Sequence, residues 1–121
     1  MEKNIKFHGY SITEFNLNKN KNNKRKKIET EINSTIYNNN DKKDFYKVIF
    51  EINTTSEKEM IKMTLEGLFE FPKDSTQEEI DKFLNYSAPS ILYPYCRSFI
   101  SMVTSYDGED ALMLPIYNFY E

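Results

Sequence analysis

At 121 residues the chain is long enough for one domain, which buries about two thirds of its unfolded surface and needs neither disulfides nor a metal to fold. Sixteen Lys and Arg against nineteen Asp and Glu leave a net charge of −3, which gives no general nucleic-acid signature. The single cysteine excludes an internal disulfide, the first ten residues are too polar for a secretion signal, and no apolar run approaches the roughly twenty residues that cross a bilayer. A cytoplasmic protein without membrane insertion, organised as one domain over residues 1–121, is expected.

The N-terminal half alternates with period two. Ile5 and Phe7, Tyr10 and Ile12, and Phe15 and Leu17 predict a first strand over residues 5–17, with slips of phase near Gly9 and after Glu14 that read as bulges. A polar connection follows. Ile28, Thr30, Ile32, Ser34 and Ile36 then alternate with polar residues over a second strand, about 26–37, closed by the turn signal Asn38-Asn39-Asn40-Asp41. A third strand spans Phe45–Asn53 and a fourth Met60–Phe71, the latter interrupted by Gly67, where an internal strand glycine marks a bulge or a close backbone approach. Ser75 and Thr76 ahead of Glu78 and Glu79 predict a capping box opening a short helix that carries Ile80, Phe83 and Leu84, with a break over 85–88. The fold class is α+β: a four-stranded antiparallel sheet packed on a long C-terminal helix.

That helix is expected over residues 89–106. Pro89 fits its first turn, where the amides have no intrahelical partner, whereas Pro94 removes a backbone bond to Ser90 and should bend it. Ile91, Leu92, Tyr95, Phe99, Met102, Val103 and Tyr106 recur on one face, which is expected to lie on the sheet. Tyr93, Cys96 and Ile100 form a second apolar row, expected to meet another copy of the chain. Only Ser90, Arg97, Ser101 and Thr104 remain for an exposed polar stripe. Asp107-Gly108 should stop the helix, and Leu114-Pro115-Ile116-Tyr117-Asn118-Phe119 reads as extended.

Catalytic and cofactor motifs are not found. His8 has no second histidine or cysteine near it in sequence to share a metal, and no glycine-rich phosphate loop, zinc spacing or nucleophile elbow occurs, so no enzyme activity and no cofactor are expected. Lys19, Lys21, Lys24, Arg25, Lys26 and Lys27 form a local basic run, but no aromatic residues interleave with them for base stacking, so it reads as a solvated loop and not as a nucleic-acid site.

Ile91-Leu92-Tyr93-Pro94-Tyr95-Cys96-Arg97, then Ser101-Met102-Val103, then Leu114-Pro115-Ile116-Tyr117-Asn118-Phe119 together resemble the SecB family of export chaperones, which has an aromatic-Pro-Tyr-x-Arg helix and a later Pro-x-x-Asn-Phe segment. Gly67-Leu68-Phe69-Glu70-Phe71 is similar to the end of the family's fourth strand. The resemblance implies an ATP-independent holdase, assembled as a dimer or dimer of dimers, that holds non-native precursors in apolar grooves and delivers them to the SecA motor. It also allows a dedicated chaperone of the toxin-antitoxin-associated type, or an adaptor that uses the same scaffold for one partner. Where the family offers an acid to SecA from the fourth strand, this chain places Lys62, while Glu14 keeps an acidic position on the first strand and Asn18 does not; with the basic run of 19–27 on the connection after the first strand, a neutral or positive docking surface and weak SecA binding are expected.

The site expectations follow. Tyr93, Cys96 and Ile100 form the oligomer interface, and Glu14 is the partner contact. Phe15, Leu17, Leu112, Leu114, Ile116, Tyr117 and Phe119 form the client-binding surface, between the sheet edge, the 18–27 connection and the 107–119 segment.

Overall fold

A computed structural model of the chain describes residues 4–19, 28–39, 41–106 and 111–119. Most of the basic run and the expected helix stop at Asp107-Gly108 lie outside the described residues. The four strands are β1 (Lys6–Lys19), β2 (Glu29–Asn38), β3 (Phe45–Thr55) and β4 (Glu59–Glu70), all paired antiparallel in the order β1-β4-β3-β2. Alternation sends Val48, Phe50 and Ile52 of β3, and Met63, Leu65 and Phe69 of β4, to one face, where all are fully buried. The other face carries most of the charged residues of the sheet, Glu59 of β4 being buried on the inner side.

Both bulges of β1 are present. One lies between Phe7 and Tyr10, where Gly9 takes a φ of 98° that any other residue would adopt only under strain. The second lies between Ile12 and Glu14, slightly earlier than the sequence suggests. Each slip returns the apolar residues to the inner face, so that Phe7, Tyr10, Ile12, Phe15 and Leu17 lie opposite Phe69, Gly67, Leu65, Met63 and Ile61. Without them, half of β1 would turn its apolar set to the charged face.

The capping box forms between Thr76 and Glu79: Thr76 Oγ1 accepts from the Glu79 amide and the Glu79 carboxylate accepts from the Thr76 amide, opening α1 (Gln77–Lys82). The expected break is a π-helical turn, Phe83–Ser87, that passes straight into α2 (Ala88–Ser105). Here the Ala88 amide reaches back five residues to the Phe83 carbonyl. The wider turn comes just before Pro89, whose ring would crowd the carbonyl of an ordinary turn.

α2 crosses β3 and β4 on a face that is rotated from the expected one: Leu92 lies on the sheet as expected and Ile91 and Phe99 pack beside the core, but Cys96 and Ile100, expected to meet a second copy, take the central positions. Ala88, Leu92, Cys96, Ile100 and Thr104 face the sheet and are buried, whereas Tyr95, Met102 and Tyr106 face outward at 38%, 49% and 79% exposure. Side-chain size is the physical reason. The inward row carries the smaller residues, so the helix approaches closely, and at Gly67 a Cβ would stand only 2.7 Å from Leu92 Cδ2. The bulky aromatics are displaced to the flanks, where Tyr95 stacks on Tyr10 at 4.1 Å and Phe99 meets Phe15 edge-on at 5.0 Å.

Candidate functional site

Residues 111–119 run back along α2 as an extended strap, and three of the four residues expected to form the exposed stripe of the helix, Arg97, Ser101 and Thr104, hold it, while Ser90 bonds the Tyr86 carbonyl. Thr104 Oγ1 donates to the Ile100 carbonyl and accepts from the Leu112 amide at 2.8 Å, which satisfies a buried hydroxyl and a buried amide together. Arg97 Nε donates to the Leu114 carbonyl at 2.8 Å, Ser101 Oγ donates to Met113 Sδ, and the Tyr93 hydroxyl donates to the Pro115 carbonyl. A strap without strand partners needs such side-chain donors for its backbone. Leu112 and Leu114 anchor it in the core at 8% and 1% exposure.

Burial pushes the Tyr93 hydroxyl up to about 12, helped by neighbouring Tyr117 and partly offset by Arg97. Burial likewise pushes the Cys96 thiol up to about 12, so it stays protonated and unreactive at neutral pH. Tyr93, Cys96 and Ile100, expected to meet a second copy, are therefore enclosed within one chain: Cys96 and Ile100 pack in the core, and Tyr93 is covered by Tyr117 and Phe119 of the strap.

The strap covers the inner face of the sheet only in part. β2 is left at the margin, with Ile32 and Ile36 half-buried while the facing β3 residues Ile52 and Val48 are fully buried. Between β2 and the strap lies a cleft of 260 Å³, lined by Thr30, Ile32 and Ser34 on one side, Tyr117 and Phe119 on the other, and Phe50, Asn85 and Pro89. Further along the same margin a hollow of 340 Å³ lies between Ile28, the β3–β4 turn at Ser56–Glu59, and Ala111, Leu112 and Met113. The second hollow is lined by Glu57, Lys58 and Glu59 and is charged. The cleft between β2 and the strap has no ionisable group but the Tyr117 phenol, so it suits uncharged side chains and offers no acid–base pair for catalysis. Among the described residues no cluster of three or more metal-ligating side chains occurs.

Of the residues expected at the client-binding surface, only Tyr117 and Phe119 line this cleft. Leu112 and Leu114 are core residues whose burial anchors the strap, although Leu112 also borders the second hollow. Ile116 points to solvent at 83% exposure and lines neither compartment. Phe15 and Leu17 sit on β1, at the opposite edge of the sheet from β2, beyond β4 and β3. The sequence reading missed Ile32, Thr30, Ser34, Pro89 and Asn85. For Thr30, Ile32 and Ser34 the signal was the alternation of β2 itself, but only the sheet order reveals that this strand is uncovered; Asn85 and Pro89, on the helical segment, carried none.

On the outer face, Glu14 Oε1 lies 3.5 Å from Lys62 Nζ, so the acid kept on β1 is compensated by the lysine on β4. Lys47 and Glu66 form a looser pair at 3.9 Å, and His8 Nε2 meets Glu70 at 2.8 Å. The described part of this face is nonetheless not neutral or positive as expected: Glu14, Glu29, Glu31, Glu51, Glu66 and Glu70 outnumber Lys6, Lys47 and Lys62. The acids of β2 and β3, set beside β4 by the register, were not counted in that reading, and the basic run that also entered it lies mostly outside the described residues.

The profile of the family described as preprotein translocase subunit SecB matches residues 10–121. A protein-export protein SecB of Anaplasma phagocytophilum is 40% identical over 55 residues, 44% of this chain and 35% of that relative, so the match spans about a third of the relative's length. Among solved structures, a SecB-like chaperone of Mycobacterium tuberculosis, determined in complex with a ChAD peptide from an antitoxin, aligns with a TM-score of 0.77 over 94% of this chain and 88% of that one at 14% identity. A protein of unknown function from Streptococcus agalactiae aligns with a TM-score of 0.57 over 96% of this chain and 100% of that one, at 9% identity. Both structures share the fold. Among the described residues, no helix is long and apolar enough to cross a membrane.

Proposed function

As the chain belongs to the SecB family, a family of export chaperones, we propose that it acts in the cytoplasm as an ATP-independent holdase, linked to protein export and not an enzyme. The observation that carries this reading is the open cleft between β2 and the strap, with apolar and aromatic walls and no charged side chain. Burying a client's apolar side chain there gains about 25 cal/mol per Å² removed from water, with little demand on its sequence. Ile32, Tyr117 and Phe119 are the residues assigned to holding it. A light-scattering assay tests the reading: the protein should suppress aggregation of several unrelated unfolded proteins, and suppression of none would refute it.

A second reading, a dedicated chaperone or adaptor of the antitoxin-associated type, is favoured by the peptide in the structurally similar mycobacterial chaperone. It differs in one outcome, since a single cognate partner would be bound and unrelated unfolded chains ignored.

Homo-oligomerisation, as a dimer or a dimer of dimers, belongs to the same proposal, but through a different surface from the one the sequence suggested. Tyr95, Met102 and Tyr106 line the outward side of α2, and Tyr10 and Ile12 continue the apolar strip onto β1 at 45% and 37% exposure. A strip of this kind suits a two-fold contact with a second copy. Binding of SecA through Glu14 is proposed to be weak because Lys62 compensates that acid.

A further inference from the structure

Arg97 carries a charge that nothing among the described residues balances. Its Nε donates to the Leu114 carbonyl, which uses one of the five guanidinium N–H groups, and among the described residues the four on its two Nη atoms meet no acceptor and no carboxylate. The side chain is half-buried in a chain where acids outnumber bases by nineteen to sixteen, so carboxylates are not scarce. Holding the strap requires a single donor, and the forked cation supplies four more. Arg97 lines a hollow of 370 Å³ where α2 meets the strap, together with Pro94, Ser98, Ser101, Met102 and Met113. The Ser98 hydroxyl likewise has no partner among the described residues, and Ser101 donates to the weak acceptor Met113 Sδ. None of the lining residues is acidic. The hollow shares no residue with the cleft between β2 and the strap, and only Met102 with the apolar strip assigned to a second copy.

We propose that this hollow is a binding site for an apolar carboxylate, whose oxygens meet the Nη atoms of Arg97 and the Ser98 hydroxyl while its hydrocarbon body lies on Met102, Met113 and Pro94. The planar fork of a guanidinium matches the two oxygens of a carboxylate, and the Nε bond to Leu114 holds that plane before a ligand arrives, so less freedom is lost on binding. Partial burial strengthens the pair relative to one in open water. The remaining walls decide against a bare inorganic anion. Two methionine side chains and a proline ring give the ligand's body apolar contact, and flexible thioethers adapt to bodies of different shape. The volume lies near the lower end of the range for ligand pockets, about 300–1,000 Å³, which suits a body the size of one amino-acid residue. Two sources have this chemistry: a small organic acid, and the C-terminal residue of a polypeptide that ends in an apolar side chain.

Methyl-labelled methionine reports on the site directly, because Met102 and Met113 are two of its apolar walls. The full chain is titrated with phenylpropionate, with a tripeptide acid ending in phenylalanine, with the amides of both, and with inorganic phosphate, and the methionine methyl signals are followed by NMR. One or both acids should shift the Met102 and Met113 methyls saturably, and the corresponding amides should bind at least about tenfold more weakly. Whichever acid binds more tightly identifies the source. Ser98→Glu, at an exposed position, puts a carboxylate into the hollow and should weaken binding of the acids at least about tenfold with the thermal melt nearly unchanged. Arg97→Gln, whose amide can still donate to the strap, should weaken it as much; if that change loosens the strap, Ser98→Glu alone decides. No saturable shift by either acid, equal binding of acid and amide, phosphate binding as tightly as the acids, or insensitivity to Ser98→Glu overturns the proposal.

Discussion

Substituting Gly67 by Ala, alone and together with Leu92→Ala, probes the contact that decides which row of α2 faces the sheet. A Cβ at residue 67 would lie 2.7 and 3.1 Å from the two Leu92 methyls and 3.3 Å from Phe69 Cε2. Carbon atoms rest about 3.5–4.0 Å apart, so the helix must withdraw by nearly 1 Å or Leu92 must leave its rotamer. Overpacking of this kind costs about 1–3 kcal/mol, offset by about 0.4–1 kcal/mol because alanine restricts the unfolded chain more than glycine. A net loss of about 1–2 kcal/mol is expected. Leu92→Ala alone removes a fully buried side chain and should cost about 2–5 kcal/mol. In the double variant the clash is gone and the added methyl fills part of the cavity, so the pair should be more stable than the sum of the single effects by about 1–2 kcal/mol. Urea denaturation followed by circular dichroism gives all three values. Additivity within about 0.5 kcal/mol, or a stabilising Gly67→Ala, would refute the packing.

The pH dependence has a definite sign. Tyr93 is raised from 10.0 to about 12 and Cys96 from 9.0 to about 12, so the folded chain holds these protons more tightly than the unfolded chain. The resulting stability is complete below about pH 9 and is lost as pH rises through about 12, with a slope of up to about 1.4 kcal/mol per pH unit for each group; Tyr93→Phe with Cys96→Ala should flatten the urea midpoint between pH 9 and 11, and an unchanged slope contradicts it. In the strap, Leu114→Ser should lower the melting temperature by well over 5 °C because the residue is 1% exposed, whereas Ile116→Ser, at 83% exposure, should shift it by less than about 1 °C. On the outer face, Lys62→Glu releases Glu14 from its partner and adds a second acid beside it. Calorimetry with a basic peptide should then show tighter, salt-sensitive binding than with the parent protein, and equal affinities would contradict the charge compensation.

The strands were legible because period-two alternation survives the bulges: Gly9 announces one slip of phase and the sequence Ile12-Thr13-Glu14-Phe15 the other. Thr76 and Glu79 gave the capping box by residue type and spacing alone. The rotation of α2 that puts Cys96 and Ile100 beside Leu92 on the sheet was not legible, because both rows are apolar and periodicity has no sign; the choice depends on Gly67, 25 residues before Leu92 in sequence, and on how closely Leu92 can approach it. The polar stripe failed for a related reason. Arg97, Ser101 and Thr104 look solvent-facing to any count of polar residues, yet each bonds the strap, and the carbonyl, thioether and amide they meet carry no signature in a sequence. The cleft was half legible, since Tyr117 and Phe119 stand in the motif that carries the family resemblance while Ile32 looked like an ordinary inward strand residue.

Client affinity of an Ile32→Ser, Tyr117→Ser double variant tests the central claim most directly. Both residues line the cleft, and neither is fully buried, so the thermal melt should move little. Fluorescence anisotropy with an unfolded, labelled polypeptide should show affinity at least about tenfold weaker than for the parent chain, as expected when two apolar contacts of about 1 kcal/mol or more are lost from a desolvated site. Unchanged affinity with an intact fold would place client binding elsewhere on the molecule.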